Sequence, residues 1–148
     1  MLETEQSIRI DAGIERIWQY VQDISRWAQL MPGYRECSVI DARESRWILK
    51  VGAGGLIRTV KVLVHVDDWS GPERVDFSYR LEGDPVEGGG SYIATPQGTT
   101  ATDVTMQVRV VGSGALAPMW EAVSRPLLPR LARSFAEKLK DEIERTAT

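Results

Sequence analysis

Residues 116–145 read LAPMWEAVSRPLLPRLARSFAEKLKDEIER. On the helical period, Leu116, Met119, Trp120, Val123 and Leu127 share one face, and Leu131, Phe135, Leu139 and Ile143 continue at steps of four. The spacing predicts an amphipathic helix from about Leu116 to Arg145. A helix of ~30 residues is roughly 45 Å long, well beyond the ~11–12-residue average. It cannot bury its stripe on itself, so a broad apolar surface elsewhere must receive it. Pro126 and Pro129 fall inside the stretch. Proline is at home only in a first turn, so the pair is expected to bend the helix or start its second half.

The rest of the chain supplies that surface. Thr4, Gln6, Ile8 and Ile10 alternate with Glu5, Ser7 and Arg9, which predicts a half-buried first strand. Asp11 is the expected N-cap of a helix through about Gln22, with Ile14, Ile17, Trp18 and Val21 as its stripe. Asp23 or Ser25 caps a second short helix carrying Trp27, Leu30 and Met31, and Pro32-Gly33 stops it.

Strands follow in succession. They run from about Arg35 to Ala42, from Arg46 to Val51 with Trp47, Leu49 and Val51 on one face, and from Ile57 to Asp67. In the last of these, Val60, Val62, Val64 and Val66 face in, while Lys61, Leu63, His65 and Asp67 face out. Val75, Phe77, Tyr79 and Leu81 form the inner face of the next. Gly83–Gly90 reads as a loop before a strand with Tyr92 and Ala94 inward, or else Ser91, Ile93 and Thr95. Val104, Met106, Val108 and Val110 line the final strand. Consecutive strands joined by short turns give an antiparallel meander whose single apolar face needs a cover. The long helix is that cover. Gly52–Gly55 and Gly88–Gly90 are not followed by helix signals, so they read as bends in a curved sheet rather than phosphate cradles.

Composition bounds the function. A chain of 148 residues is expected to form a single domain over residues 1–148. The net charge of −3 argues against a nucleic-acid partner. One cysteine, Cys37, allows no intrachain disulfide, and a cytoplasmic location is the simplest expectation. The start, MLETEQSIRI, has neither the basic nor the apolar region of a signal peptide, and no apolar run approaches the ~20 residues of a membrane span.

Ile8-x-Ile10-x-Ala12, Ile17-Trp18, Asp23, Trp27 and Met31-Pro32-Gly33 resemble the opening of the START/Bet v 1-like (SRPBCC) helix-grip proteins. The closest resemblance is to the polyketide cyclase/dehydrase and lipid-transport group. The Pro-Gly lead into the second strand, the Gly52–Arg58 bend, the Gly83–Gly90 loop and the Leu-rich closing helix are similar to the branch of carbon monoxide dehydrogenase G-like proteins. The resemblance implies an α+β helix-grip fold: a curved antiparallel sheet of about six to seven strands around the C-terminal helix, with an apolar tunnel between them. It also implies a bound lipid, quinone or polyketide-like molecule, with an accessory or cyclase role.

The single histidine, His65, shares a face with Lys61 and Asp67 and is expected on the wet side, away from any Ser-His-Asp arrangement. One His and one Cys cannot form the usual zinc sets, so no metal or cofactor is expected. The informative constellation is aromatic. Trp47, Phe77, Tyr79 and Tyr92 on the sheet, with Trp27 and Trp120 on helices, are the expected ligand-binding surface. Leu49, Met106, Val108, Val123 and Leu127 complete it, and Arg58 after the Gly-rich bend is read either as a contact to a ligand carbonyl or carboxylate or, the commoner case, as a solvated edge residue. Access is expected near Met31–Tyr34, Gly52–Ile57 and the start of the long helix. Arg125, Arg130 and Arg133 share one side of the helix and would suit anionic headgroups, but acidic Glu137, Asp141, Glu142 and Glu144 follow closely, so a solvated face is expected and membrane contact at most peripheral.

The first functional reading is a binding module that encloses a hydrophobic small molecule. The alternative is a polyketide cyclase or dehydratase that polarises a carbonyl with Tyr79, Tyr92 or Arg58. A third is an accessory protein, either a homodimer or one docking on a larger enzyme complex through an outer apolar patch near Leu63 or Trp69.

Overall fold

The computed structural model describes residues 2–53 and 56–145. Strand β1 (Leu2–Ile10) is followed by helices α1 (Ile14–Val21) and α2 (Ile24–Leu30). Six strands come next: β2 (Tyr34–Val39), β3 (Glu44–Ala53), β4 (Leu56–Ser70), β5 (Arg74–Leu81), β6 (Val86–Gln97) and β7 (Ala101–Gly112). Helix α3 (Ala117–Arg145) closes the chain. The strands form one curved antiparallel sheet in the order β1-β7-β6-β5-β4-β3-β2, and the long helix lies in its grip.

Alternation places the core. Val62, Val64 and Val66 of β4 are buried between exposed or half-buried Lys61, Leu63, His65 and Asp67, the arrangement a half-buried strand requires. Trp47 and Leu49 of β3, Val75 of β5, Tyr92 and Ala94 of β6, and Val104 and Met106 of β7 extend the same face. Ile17, Val21, Ile24, Trp27 and Leu30 cover it from α1 and α2, and Phe135, Leu139 and Ile143 from α3. Asp23 caps α2, accepting from the Ser25 backbone N–H at 3.0 Å and from its hydroxyl at 2.6 Å.

Several expectations are corrected. Gly13, not Asp11, is the N-cap of α1. Asp11 instead turns its backbone N–H to the Glu144 carboxylate at 2.8 Å, tying the β1–α1 junction to the end of α3. Gly88, Gly89 and Gly90 are not a loop but belong to β6. The bend expected at Gly54-Gly55 lies outside the described residues. Trp69 does not stand on the outer face. A bulge between Val66 and Asp68 shifts the register, and Trp69 meets Trp18 edge to face with ring centroids 6.0 Å apart.

Helix α3 holds the largest correction. Pro126 and Pro129 lie inside one continuous helix. Each removes a hydrogen bond to the residue four back, and the residues that lose it, Ala122 and Arg125, are exposed. The buried stripe is Leu128, Ala132, Phe135, Ala136, Leu139 and Ile143. Leu116, Met119 and Val123, expected inside, are 55%, 47% and 38% exposed. Helical spacing is the cause: each four-residue step from Leu127 to Ile143 rotates the row by about 40°, so the two apolar runs occupy different helix faces, and the second run is the one buried against the sheet.

Candidate functional site

Trp27 stands at the hub of the buried aromatic residues. Short helix α2 aims it at the sheet, and its indole N–H donates to the Val21 carbonyl at 2.5 Å. Three rings surround it. Phe77 meets it edge to face at 5.8 Å, Tyr92 is tilted at 5.8 Å, and Phe135 of α3 is tilted at 5.6 Å. These separations are those of favourable aromatic pairs. Sheet, short helix and long helix therefore converge on one aromatic cluster.

The glycines of β6 explain how the sheet accommodates these rings. A Cβ on Gly90 would lie 2.8 Å from Phe77 Cζ, and one on Gly88 would lie 2.6 Å from the Tyr79 hydroxyl oxygen. Two neighbouring aromatics of β5 thus lie flat across β6 because β6 has no side chains there. Tyr79 reaches beyond Gly88 to donate its hydroxyl to the Arg109 carbonyl at 2.8 Å. A strand from Val86 with glycines opposite aromatics on the adjoining strand is the signal that a loop reading of Gly83–Gly90 passes over.

Tyr92 differs. It is wholly buried, and its hydroxyl has no hydrogen-bond partner. Burial raises the pKa of both Tyr79 and Tyr92 well above the ordinary phenol range, so both stay protonated.

An open cleft lies between the end of α2, the end of β3 and α3. Pro32 and Gly33 after α2, Lys50, Val51 and Gly52 near the end of β3, and Leu127, Arg130, Leu131 and Ser134 of α3 enclose about 270 Å³. This is close to the lower end of the range for small-molecule sites. It opens where access was expected, beside Met31–Tyr34, Gly52 and the long helix. A second hollow of about 290 Å³, lined by Glu3, Thr4, Glu5, Gly90, Gln107, Val108 and Arg109, is bordered mainly by polar side chains.

The sequence-derived ligand set divides accordingly. Trp27, Phe77 and Tyr92 come together in the aromatic cluster. Trp47, Leu49 and Met106 are buried in the same core, with Tyr79 half-buried against it. Leu127 lines the cleft. Val108 and Trp120 belong instead to a separate cluster around Val86, Val110 and Leu128, and Val123 faces solvent. Arg58 is held by Asp84, at 2.8 and 2.9 Å to its two carboxylate oxygens, and sits 5.6 Å from the Trp120 ring centre. Pro32, Gly33 and Gly52 fall in the expected access region, whereas sequence reasoning did not place Lys50, Val51, Arg130, Leu131, Ser134 and Phe135 at the site. Leu131 and Phe135 carry the apolar stripe in the sequence, but only the helix phase shows that Leu131 borders the cleft and Phe135 packs in the core against Trp27.

Among the described residues, no three His, Cys, Asp or Glu side chains are grouped to hold a metal ion. His65 is on the outer face, hydrogen-bonded through Nδ1 to Glu44, with Asp67 3.6 Å from Nε2. No helix among the described residues is long and apolar enough to cross a membrane.

The fold recurs in known structures. A conserved protein from Geobacillus kaustophilus superposes with a TM-score of 0.84 at 20% identity, covering 98% of this chain and 97% of that one. The Zhui aromatase/cyclase from a Streptomyces species gives 0.73 at 16% identity, covering 99% and 96%. A START superfamily protein from Mycobacterium smegmatis gives 0.74 at 14% identity, covering 97% of both chains. No curated protein sequence matches this chain. The sequence matches a family profile over residues 1–144, and with its helix-grip architecture the chain belongs to the polyketide cyclase/dehydrase and lipid transport family.

Proposed function

We propose that this protein binds a hydrophobic small molecule, of lipid, quinone or polyketide type, between sheet and α3, and acts as a carrier or accessory protein. The observation that carries the reading is the cleft between Pro32-Gly33, Val51-Gly52 and Leu127–Ser134. Its Leu131 and Ser134 walls adjoin Phe135 in α3, and Phe135 touches Trp27. In this reading the ligand enters by the cleft and lies against the aromatic cluster. Burying about 300 Å² of apolar ligand surface there contributes roughly 7.5 kcal/mol before the costs of association. Among the described residues the buried polar side chains are Ser45, Ser91 and Thr102, all uncharged, which suits an apolar occupant. Family membership and the aromatase/cyclase among the similar structures support the same ligand chemistry.

The test is titration of delipidated protein with the neutral fluorophore N-phenyl-1-naphthylamine. Saturable one-to-one binding is expected, and Leu131→Trp, which fills the cleft from a half-buried helix position, should weaken it by about tenfold, or ~1.4 kcal/mol. A signal that rises linearly without saturation overturns the reading.

A further inference from the structure

The charges around the cleft are one-sided. Two of its lining residues are cationic, Lys50 and Arg130, and none is acidic. Neighbouring cations are neutralised. Arg133, one turn along α3, pairs with Glu137 at 3.7 Å, and Arg58 on β4 is bound by Asp84. Among the described residues, neither Lys50 nor Arg130 forms an ion pair. The other lining residues are mostly apolar: Pro32, Val51, Leu127 and Leu131.

The fold builds both walls. Leu127, Arg130, Leu131 and Ser134 are spaced i, i+3, i+4 and i+7, so one face of α3 carries a guanidinium and a hydroxyl beside two leucines. On the other wall the Lys50 backbone N–H donates to the Gly33 carbonyl at 2.8 Å. A Cβ on Gly33 would lie 1.9 Å from the Lys50 carbonyl oxygen, so only glycine lets the turn after α2 come this close to β3. Apolar walls with two cations and no counter-charge suit a molecule with an apolar body and an anionic head. Arginine presents a planar fork that matches a carboxylate with two parallel hydrogen bonds, and the Ser134 hydroxyl, one turn further on, is a further donor type. The interior fixes the orientation. Its buried polar residues Ser45, Ser91 and Thr102 are uncharged, so a charged head taken inside would be left unpaired at high cost. The head stays at the mouth and the tail goes in.

We infer that the cleft selects amphipathic anions, molecules with an apolar tail and a terminal carboxylate. Arg130, assisted by Lys50 and Ser134, holds the head at the mouth, and the tail lies along Val51, Leu127 and Leu131. The inference rests on the proposed binding function and specifies its ligand class: acidic lipid-like molecules over neutral ones such as quinones.

The experiment compares octanoate with 1-octanol, which share a chain length and differ in the charge of the head. Each competes with N-phenyl-1-naphthylamine on wild-type protein, on Lys50→Gln/Arg130→Gln and on Arg133→Gln. Lys50 and Arg130 are exposed, so the double variant is expected to fold. The ratio of octanoate to 1-octanol affinity should be about tenfold higher in wild type than in the double variant. Comparing the ratio between proteins cancels the different solubilities of the two molecules. Arg133→Gln, which removes an equally exposed cation outside the cleft, should keep the wild-type ratio. Equal ratios in wild type and the double variant overturn the selection for anions and leave the binding function standing. An equal fall in Arg133→Gln also overturns it, because the effect would then belong to the basic helix surface and not to the cleft. If the fluorophore binds saturably but neither octanoate nor 1-octanol displaces it from wild type, the inference falls alone. If the fluorophore itself does not saturate, the binding function falls with it.

Discussion

The Tyr79 hydroxyl reaches the Arg109 carbonyl at 2.8 Å by crossing over Gly88. A Cβ on Gly88 would lie 2.6 Å from that hydroxyl and 2.1 Å from the Arg109 carbonyl oxygen, a backbone atom that cannot step aside. Gly88→Ala is therefore expected to cost about 1–3 kcal/mol or more, as overpacking does, and to release the tyrosine. Gly83→Ala is the control: its glycine has φ +83° but open space around it, so the cost is limited to about 1–2 kcal/mol of backbone strain. Denaturant melts of the two variants check the order. A Gly88→Ala protein as stable as wild type would show that β6 does not lie this close to the ring.

Alkaline stability follows from the two buried phenols. Burial raises the pKa of Tyr79 and Tyr92 in the folded state. A raised folded pKa means that the native state holds its proton more tightly than the unfolded chain. The resulting stability is complete below the unfolded value of about 10 and is lost as pH rises above it. Each phenol then lowers stability by up to about 1.4 kcal/mol per pH unit. Tyr92→Phe should remove about one proton's worth of that slope and, by deleting an unpartnered hydroxyl, raise stability at neutral pH by ~1–3 kcal/mol. Chemical melts at pH 8 to 11 read both effects. An unchanged alkaline slope, or lower neutral stability, contradicts the buried, unpartnered state of this hydroxyl.

Trp27 joins three aromatic rings through one side chain. Trp27→Ala is expected to destabilise by about 3–5 kcal/mol. Trp27→Phe keeps ring contact and loses the hydrogen bond to Val21, so it should cost less. Near-ultraviolet circular dichroism should lose most of its aromatic signal in the alanine variant. Survival of that signal would place the cluster elsewhere.

Strand periodicity made the sheet legible. Val62, Val64 and Val66 alternate with polar or half-buried neighbours so cleanly that faces and meander follow from sequence. The helix-grip resemblance is upheld by the family match and by the architecture. What escaped reading depends on contacts across strands or on helix rotation. Gly88–Gly90 reads as a loop until Phe77 and Tyr79 are placed opposite. Trp69 faces outward until the bulge at Val66/Asp68 is known. The unpartnered state of Tyr92 is a three-dimensional fact with no sequence signal at all.

The two apolar runs of α3 separate experimentally. Leu116, Met119 and Val123 are exposed, whereas Leu128 and Leu139 are buried. Met119→Gln or Val123→Ser should change stability by within about 0.5 kcal/mol. Leu139→Ala should cost about 2–5 kcal/mol. Thermal melts distinguish the rows, and a large loss on Val123→Ser would return the first run to the core.

The far end of α3 is fastened electrostatically. Lys140 Nζ donates to the Arg9 carbonyl at 2.7 Å and to Glu144 at 2.5 Å, while Glu144 also accepts the Asp11 backbone N–H at 2.8 Å. The helix end thus holds the first strand through Lys140 and the start of the α1 connection through Glu144. The Lys140 hydrogen bond, then that of Asp11, lowers the Glu144 pKa. A lowered folded pKa gives stability that is present above the unfolded value of ~4.3 and lost as pH falls through the folded one. The pair is partly solvated, so screening limits Glu144→Gln to a loss of about 0.5–1 kcal/mol at neutral pH. The difference between variant and wild type should shrink below about pH 4 and in high salt. Hydrogen exchange localises the effect: amides of Asp11 and the last turn of α3 should lose protection in Glu144→Gln while the β4 amides keep theirs. Uniform loss across the sheet would mean that the carboxylate supports the whole fold rather than this junction.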